Sequence, residues 1–403
     1  MKCGLLGERL VHSYSPEIHR LLGDYSYELL EKKPSEVEAF LRHGDFSGLN
    51  VTIPYKKTVI PYLDELTETA QKLLAVNTII RRRDGTLLGH NTDYFGFSSM
   101  VEGSGLSVKG KKALVLGSGG ASATAVAVLT EMGAQVVVIS RQGNNNYHNL
   151  FQHCDAKIIV NATPVGMYPS CGVSPVDLAL FPQLEGVLDM IYNPASTKLL
   201  LDARSRGLVA INGLWMLVAQ AKESAVFFTG TPIAEEKIEE VYRSISRRME
   251  NIVLIGMPGC GKSTIGALLS EKLGRKFVDT DLEIQRIANK SIPEIFAQDG
   301  EAVFRQLESD VLQHFGKESS LVIATGGGSV VRPENHIYLR QNSRIFYLQR
   351  DLSKLPTDGR PLSVDLEFLF SSRSALYESL ADQIVDNNGS IENTLIQIRK
   401  EYP

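Results

Sequence analysis

Cysteine is scarce. Four residues, Cys3, Cys154, Cys171 and Cys260, are scattered over 403 positions with no C-x-x-C spacing. That argues against a disulfide framework or a zinc cluster and fits reduced thiols in the cytoplasm. Long apolar runs are missing too. The opening "MKCGLLGERLVHS" has no secretory apolar core, and the most apolar stretch, Ala113 to Leu129, is interrupted by "GSGG". Neither reads as a leader or a membrane span. Positive charge is not in excess: a net charge of −4 and a pI near 6.1 argue against a broad nucleic-acid surface. Repeats, low-complexity tracts and Gly/Ser- or Pro-rich linkers are also lacking. Neither nucleic acid nor membrane is expected as a partner, and the oligomeric state is not legible.

What is present is alternation of strand and helix patterns, which favours α/β domains with largely parallel sheets. The length suits two or three domains. "KKALVLGSGG", "ASATAVAVLTEMG" and "AQVVVIS" read as strand, helix and strand, a βαβ unit, followed by a loop tip at "GNNNYHN". "TPIAEEKIEEVYRSISRR" reads as a helix with Pro232 near its start and arginines at its end. The expected junction follows at Ser246 to Glu250.

Two glycine-rich turns of different kinds stand out. Gly256-Met-Pro-Gly259-Cys260-Gly261-Lys262-Ser263-Thr264 fits G-x-x-x-x-G-K-[ST] between the strand "NIVLI" and a helix. Such glycines let backbone N–H groups cradle phosphate, the lysine neutralises β/γ oxygens, and the serine ligates Mg²⁺. The second turn, Gly117-Ser118-Gly119-Gly120-Ala121, follows a strand as a dinucleotide turn does, but Ser122 stands where a third glycine is usual. After the next strand comes Arg141 rather than an acid. A cation there suits the 2′-phosphate of NADP; an exposed loop arginine is the competing reading.

The C-terminal part resembles shikimate kinase through "GKSTIG", "FVDTDLEI", "GEAVFRQLE", "LVIATGGGSV", "GRPLS" and "RSALYESLAD". The resemblance implies ATP as donor, with Asp279 and Ser263 toward Mg²⁺ and Asp281 orienting or deprotonating the acceptor hydroxyl. It also implies that Arg305 and Arg373 hold the substrate carboxylate, that Gly326, Gly327 and Gly328 line the ring, and that Arg360 belongs to a lid. Bidentate arginine suits a small carboxylate. Taken singly, these arginines also read as solvated charges, and Asp281 as a helix cap. The stretch "QRDLSKLPTDG" before "RPLS" is shorter than usual, and an arginine covering adenine is not evident; Arg350 comes too early to take that role.

The N-terminal part resembles shikimate dehydrogenase through "GERLVHSYSPEIH", "GLNVTIPYKK", "AVNTI", "GHNTDYFGF", "GSGGAS", "NATPVGM" and "INGLWMLVAQA". This implies that Lys56 and Asp93 are the catalytic pair, and that Ser13 and Ser15 grip the substrate carboxylate. Thr52, Asn77 and Gln220 would bond ring hydroxyls and carboxylate, with Tyr192 nearby. Asn161, Thr163 and Met167 would line the nicotinamide side. Ser15 also reads as a cap of "PEIHRLL", and Lys56 with Lys57 as a solvated turn. The family's Asn-Arg-Thr segment is here Ser140-Arg141-Gln142, which leaves selectivity for NADP over NAD open.

The expected architecture is α/β: a two-lobed dehydrogenase with a Rossmann-like NADP lobe, then a P-loop kinase domain with a parallel sheet. Residues 1–94 plus 213–247 would form the substrate lobe, 95–212 the NADP lobe and 250–403 the kinase. The expected activities are reduction of 3-dehydroshikimate to shikimate and phosphorylation of shikimate. Two alternatives remain: an inactive sensor or repressor keeping both folds, and a quinate-tolerant dehydrogenase joined to a kinase for another polyol acid.

Overall fold

The computed structural model describes residues 1–10, 13–355, 366–400 and 402. Two compact units emerge. The first comprises Met1–Val165, Ser174–Tyr192 and Asp202–Ser246; the second comprises Arg247–Pro403 with Gly166–Val173 and Asn193–Leu201.

The first unit holds two sheets. Strands β1 (Lys2–Gly7), β2 (Ser26–Glu31), β3 (Gly48–Val51), β4 (Glu65–Leu66), β5 (Thr78–Arg81) and β6 (Leu87–His90) are ordered β2-β1-β3-β5-β6-β4. This sheet is mixed: β5 runs antiparallel to both β3 and β6. The connection from β5 to β6 is too short for a crossover, so the chain must turn back on itself. Asp84 makes that turn, its carboxylate accepting from the backbone and hydroxyl of Thr86. Leu6, Val51, Tyr55, Val59 and Ile79 bury one face in a common core.

Strands β7 (Lys112–Leu116), β8 (Gln135–Ile139), β9 (Ile158–Asn161), β10 (Gly186–Asp189) and β11 (Val209–Ile211) form the second sheet, in the order β11-β10-β9-β7-β8. Every pairing in it is parallel. The chain leaves β7 toward one side and returns on the other, so a switch point falls between β7 and β9. In such sheets ligands bind beyond the carboxyl ends of the strands at that point.

The second unit carries β12 (Asn251–Ile255), β13 (Lys276–Asp279), β14 (Leu321–Ala324), β15 (Ser343–Gln349) and β16 (Gln383–Asp386), all parallel and ordered β13-β14-β12-β15-β16. The central strand is buried throughout and apolar from Ile252 to Ile255, as suits a strand covered on both faces. Its carboxyl end opens directly into the Gly256 turn.

Candidate active sites

In the first unit the end of β3 carries Thr52 to Lys56. Tyr55, fully buried, donates its hydroxyl to the Lys32 carbonyl at 2.5 Å, and the Lys56 carbonyl accepts from Val76 N at 2.8 Å. The backbone around Lys56 is thereby held on both sides. Its ammonium reaches Asp93 Oδ2 at 2.6 Å. Asp93 opens the helix Asp93–Gly103, where a carboxylate is favoured by the unpaired N–H groups. Its other oxygen accepts from Asn77 Nδ2 at 2.9 Å. Asn77 also takes the Thr92 N–H on its carbonyl at 2.7 Å.

Gln220 joins this group from the helix Leu214–Thr229, with Thr92 Oγ1 3.3 Å from its carbonyl oxygen. The two helices come this close because Gly96 has no side chain. A Cβ there would lie 2.7 Å from the Met216 carbonyl oxygen. Lys56, Asp93, Asn77 and Gln220, four residues singled out in the sequence, thus stand together. The ion pair keeps partial access to water, with the lysine side chain 31% and the aspartate 17% exposed.

Ser13, Ser15 and Tyr192 sit near one another. Ser13 Oγ accepts from Ser15 N at 3.2 Å, and the intervening Tyr14 meets Tyr192 edge-on with ring centroids 6.4 Å apart. Ser15 opens the helix Ser15–Leu22 without capping it, so the capping alternative for its hydroxyl falls away. Burial, then the neighbouring Tyr14, pushes the Tyr192 phenol up. Thr52 is anchored by its N–H on the Leu6 carbonyl at 2.9 Å.

Beneath these groups lies a buried polar network that sequence reasoning missed. Tyr27 donates to Asn50 at 2.7 Å; Asn50 donates to Ser224 at 2.8 Å and to Thr78 at 3.1 Å; Ser224 and Thr92 hydroxyls are 3.0 Å apart. The signal was available: Asn50 and Thr78 are polar residues within mainly apolar motifs. Such residues survive burial only when mutually satisfied. His19 stacks on Tyr27 at 3.9 Å and contacts the Tyr25 hydroxyl at 2.6 Å; full burial lowers its pKa to about 3.

At the switch point a cavity of ≈ 540 Å³ is lined by Gly117, Ser118, Gly119, Ser140, Arg141, Tyr147, Ala162 and Thr163, among others. Gly117 has φ +107°, and a Cβ on it would come within 3.0 Å of the Ala162 carbonyl. Only glycine fits both constraints. Gly120 and Ala121 begin the helix Gly120–Glu131, whose N-terminus suits an anion. Ser122, the departure from a third glycine, is buried and donates to the Gly117 carbonyl at 2.7 Å, so it fastens the turn.

Asn161 is fully buried and its amide is engaged. Its oxygen accepts from Thr163 N and Oγ1, and its nitrogen donates to Asp189 at 3.0 Å. It shapes the loop that presents Thr163. Met167 is exposed, on the segment Gly166–Val173 of the second unit.

In the second unit a cavity of ≈ 510 Å³ gathers Gly259, Gly261, Lys262, Ser263, Thr264, Asp279, Asp281, Arg305, Gly326, Gly327, Gly328 and Arg373. Lys262 folds back on the loop, donating to the Gly256 and Met257 carbonyls at 2.8 and 2.9 Å. Cys260 is buried, leaving its backbone as the group that can face phosphate. Ser263 Oγ lies 2.5 Å from Asp279 Oδ2. One hydroxyl and one carboxylate suit Mg²⁺, which takes few protein oxygens and fills its shell with water and substrate phosphate.

Asp279 also caps the helix Thr280–Ala288, accepting from Asp281 N and Leu282 N. The capping reading of Asp281 is therefore corrected: its carboxylate is directed at Gly326, where a Cβ would be 2.6 Å from Oδ1. Arg305 Nη1 donates to Glu308 at 2.9 Å, and Glu308, buried, accepts from Ser329 at 3.0 Å. Glu308 is a further residue the sequence did not flag, although it lies within the quoted "GEAVFRQLE". Tyr377 donates to the Gly327 carbonyl at 2.5 Å and hydrogen-bonds Arg373, tying that arginine to the glycine turn. Arg350 brings Nη1 to 4.0 Å from where a Gly261 Cβ would stand. Arg360 lies outside the described residues.

Comparison with known proteins assigns both parts of the chain to families. Residues 5–79 match the family model "Shikimate dehydrogenase substrate binding domain", and residues 258–402 match "Shikimate kinase". A shikimate dehydrogenase (NADP(+)) of Clostridium perfringens (strain 13 / Type A) is 33% identical over 267 residues, covering 61% of this chain and 98% of the relative. A chorismate mutase/shikimate 5-dehydrogenase fusion protein from Clostridium acetobutylicum superposes with TM-score 0.57 and 36% identity, over 61% of this chain and 97% of its own. Shikimate 5-dehydrogenase from Thermus thermophilus, solved in complex with NADP(H) and shikimate, gives 0.54 and 31%, over 60% and 99%.

Fold and sites together define an α/β oxidoreductase joined to a P-loop phosphotransferase. The chain belongs to the shikimate dehydrogenase family and carries a shikimate kinase domain at residues 258–402, which gives it a role in the shikimate pathway.

Proposed function

We propose that the chain catalyses two consecutive reactions: NADPH-dependent reduction of 3-dehydroshikimate to shikimate, then MgATP-dependent phosphorylation of shikimate at its 3-hydroxyl. The observation that carries the first reaction is the Lys56–Asp93 pair at 2.6 Å, oriented by Asn77. A nicotinamide held in this cleft would supply hydride to the ketone carbon. Lys56 then gives a proton to the oxygen on which charge develops, and Asp93 holds the ammonium in place. Asn77 and Gln220 orient the ring hydroxyls. Ser13 and Ser15 receive the carboxylate, and Arg141 meets the cofactor's 2′-phosphate.

In the second site Asp281 takes the proton of the acceptor hydroxyl while Arg305 and Arg373 fix the substrate carboxylate. Lys262 and the loop N–H groups neutralise charge on the transferred phosphoryl group, the main requirement of this chemistry. Ser263 and Asp279 are the residues that would hold Mg²⁺, which adds charge neutralisation at the phosphates.

Tethering raises the local concentration of the shared intermediate without requiring a channel. The cytoplasm is the compartment that suits four free cysteines. The trial mixes purified chain with 3-dehydroshikimate and NADPH, then adds MgATP. Failure of NADPH oxidation refutes the first activity, and failure of ADP release refutes the second. DNA binding without turnover would indicate a regulator instead, and equal use of quinate or NAD would widen the dehydrogenase reading.

A further inference from the structure

The cavity beyond β7 and β9 includes one aromatic side chain that neither the dinucleotide turn nor the catalytic group explains. Tyr147 lines it together with Arg141 and Ser140, along with the Gly117–Gly119 turn. Tyr147 lies on the polar stretch Ser140–Asn149, whose asparagines fasten it. Asn146 N donates to Asn149 Oδ1 at 2.8 Å, Asn149 Nδ2 to the Asn144 carbonyl at 2.7 Å, and Asn146 Nδ2 to the Gly143 carbonyl at 3.0 Å. Ser140 N donates to the Asn145 carbonyl at 3.2 Å, and His148 N to Asn146 Oδ1 at 2.9 Å. The residues on both sides of Tyr147 are therefore pinned. Burial pushes its phenol up, while the positive charge of Arg141 pulls it down. Both side chains line the cavity, close enough for the charge of one to act on the other.

We infer that Tyr147 is the platform on which the cofactor's adenine stacks, with Arg141 beside it reading the 2′-phosphate. This rests on the NADP reading of the cavity. An aromatic face next to a guanidinium is complementary to a planar base bearing an adjacent phosphate monoester. The strand end offers no acid to grip a ribose diol, so adenine stacking serves any adenine dinucleotide and the arginine alone discriminates. The two residues divide affinity from selectivity.

Calorimetry on the full chain with NADP⁺, NAD⁺, adenosine 2′,5′-bisphosphate and nicotinamide mononucleotide separates these roles. Tyr147→Ala is expected to weaken all three adenine-bearing ligands by a similar factor, about tenfold, and to spare the mononucleotide. Tyr147→Phe keeps the ring and is expected to bind like the parent. Arg141→Gln is expected to weaken NADP⁺ and the bisphosphate while sparing NAD⁺. The inference is overturned if Tyr147→Ala changes no adenine-bearing ligand. It is equally overturned if Tyr147→Ala weakens only the phosphorylated ligands and Tyr147→Phe reproduces that loss, since the hydroxyl would then be the contact. A parent chain that binds neither dinucleotide removes the NADP reading itself, a result distinct from the other two.

Discussion

Asp93 divides its two carboxylate oxygens between partners: Oδ2 takes the Lys56 ammonium at 2.6 Å, and Oδ1 takes the Asn77 amide at 2.9 Å. The aspartate cannot rotate without losing one of them. Asn77 is in turn fixed by the Thr92 backbone N–H. The ammonium is thus aimed by a chain of contacts rather than by one ion pair, and partial exposure limits how much that pair alone adds to stability.

Lys56→Ala is expected to lower the rate of NADPH oxidation by about 10²–10⁴-fold, the range for loss of a positioned proton donor. Binding of 3-dehydroshikimate should fall far less, because the serines, Asn77 and Gln220 remain. ADP formation by the same preparation, supplied directly with shikimate and MgATP, should persist. Steady-state assays of both reactions on one sample decide this; joint loss in a folded chain would show that the two sites are not independent.

Lys262→Ala is expected to reverse the pattern, lowering ADP formation by about 10²-fold or more while NADPH oxidation continues. The lysine also satisfies the Gly256 and Met257 carbonyls. Nucleotide affinity should therefore drop along with turnover, readable as a raised Kd for ATP.

Gly328→Ala tests the carboxylate grip. A Cβ at this position would lie 2.3 Å from Arg305 Nη1, so the guanidinium must swing away from its present place. The KM for shikimate is expected to rise by about tenfold, in line with loss of a charged hydrogen bond, with the KM for ATP little changed. An unchanged shikimate KM would show that Arg305 is not a carboxylate ligand.

The glycine turns were legible because phosphate cradles need special backbone angles, which restrict residue choice in a recognisable order. The parallel sheets were legible from alternating apolar strands and helices. The antiparallel β5 was not, since the shortness of the Arg82–Thr86 connection matters only once both flanking strands are placed. Glu308 and Ser224 were hidden for another reason. Each does its work by contacting a residue distant in the chain or folded back onto it, as Glu308 does between Arg305 and Ser329. Linear spacing carries no trace of the Asn50–Ser224 bond, which joins residues 174 positions apart.

His19 gives an acid-sensitivity prediction. Its folded-state pKa is lowered from 6.5 to about 3 by complete burial. Above pH 6.5 both folded and unfolded states hold it neutral, so it costs nothing. Below that, the unfolded chain gains a proton that the folded chain refuses, and stability falls as pH drops from 6.5 toward 3. At pH 5 the loss is about 2 kcal/mol, from 1.36 kcal/mol per pH unit over the interval below the unfolded pKa. Other groups titrate in this range, including His90, whose pKa is lowered to about 4. A difference between two proteins removes them. His19→Phe keeps a ring to stack on Tyr27 and has no proton to accept. Urea unfolding at pH 7 and pH 5 should therefore show a stability loss smaller by about 2 kcal/mol in His19→Phe than in the parent chain. Equal losses in the two proteins would mean that the imidazole becomes protonated in the folded state, so that its burial does not exclude the charge.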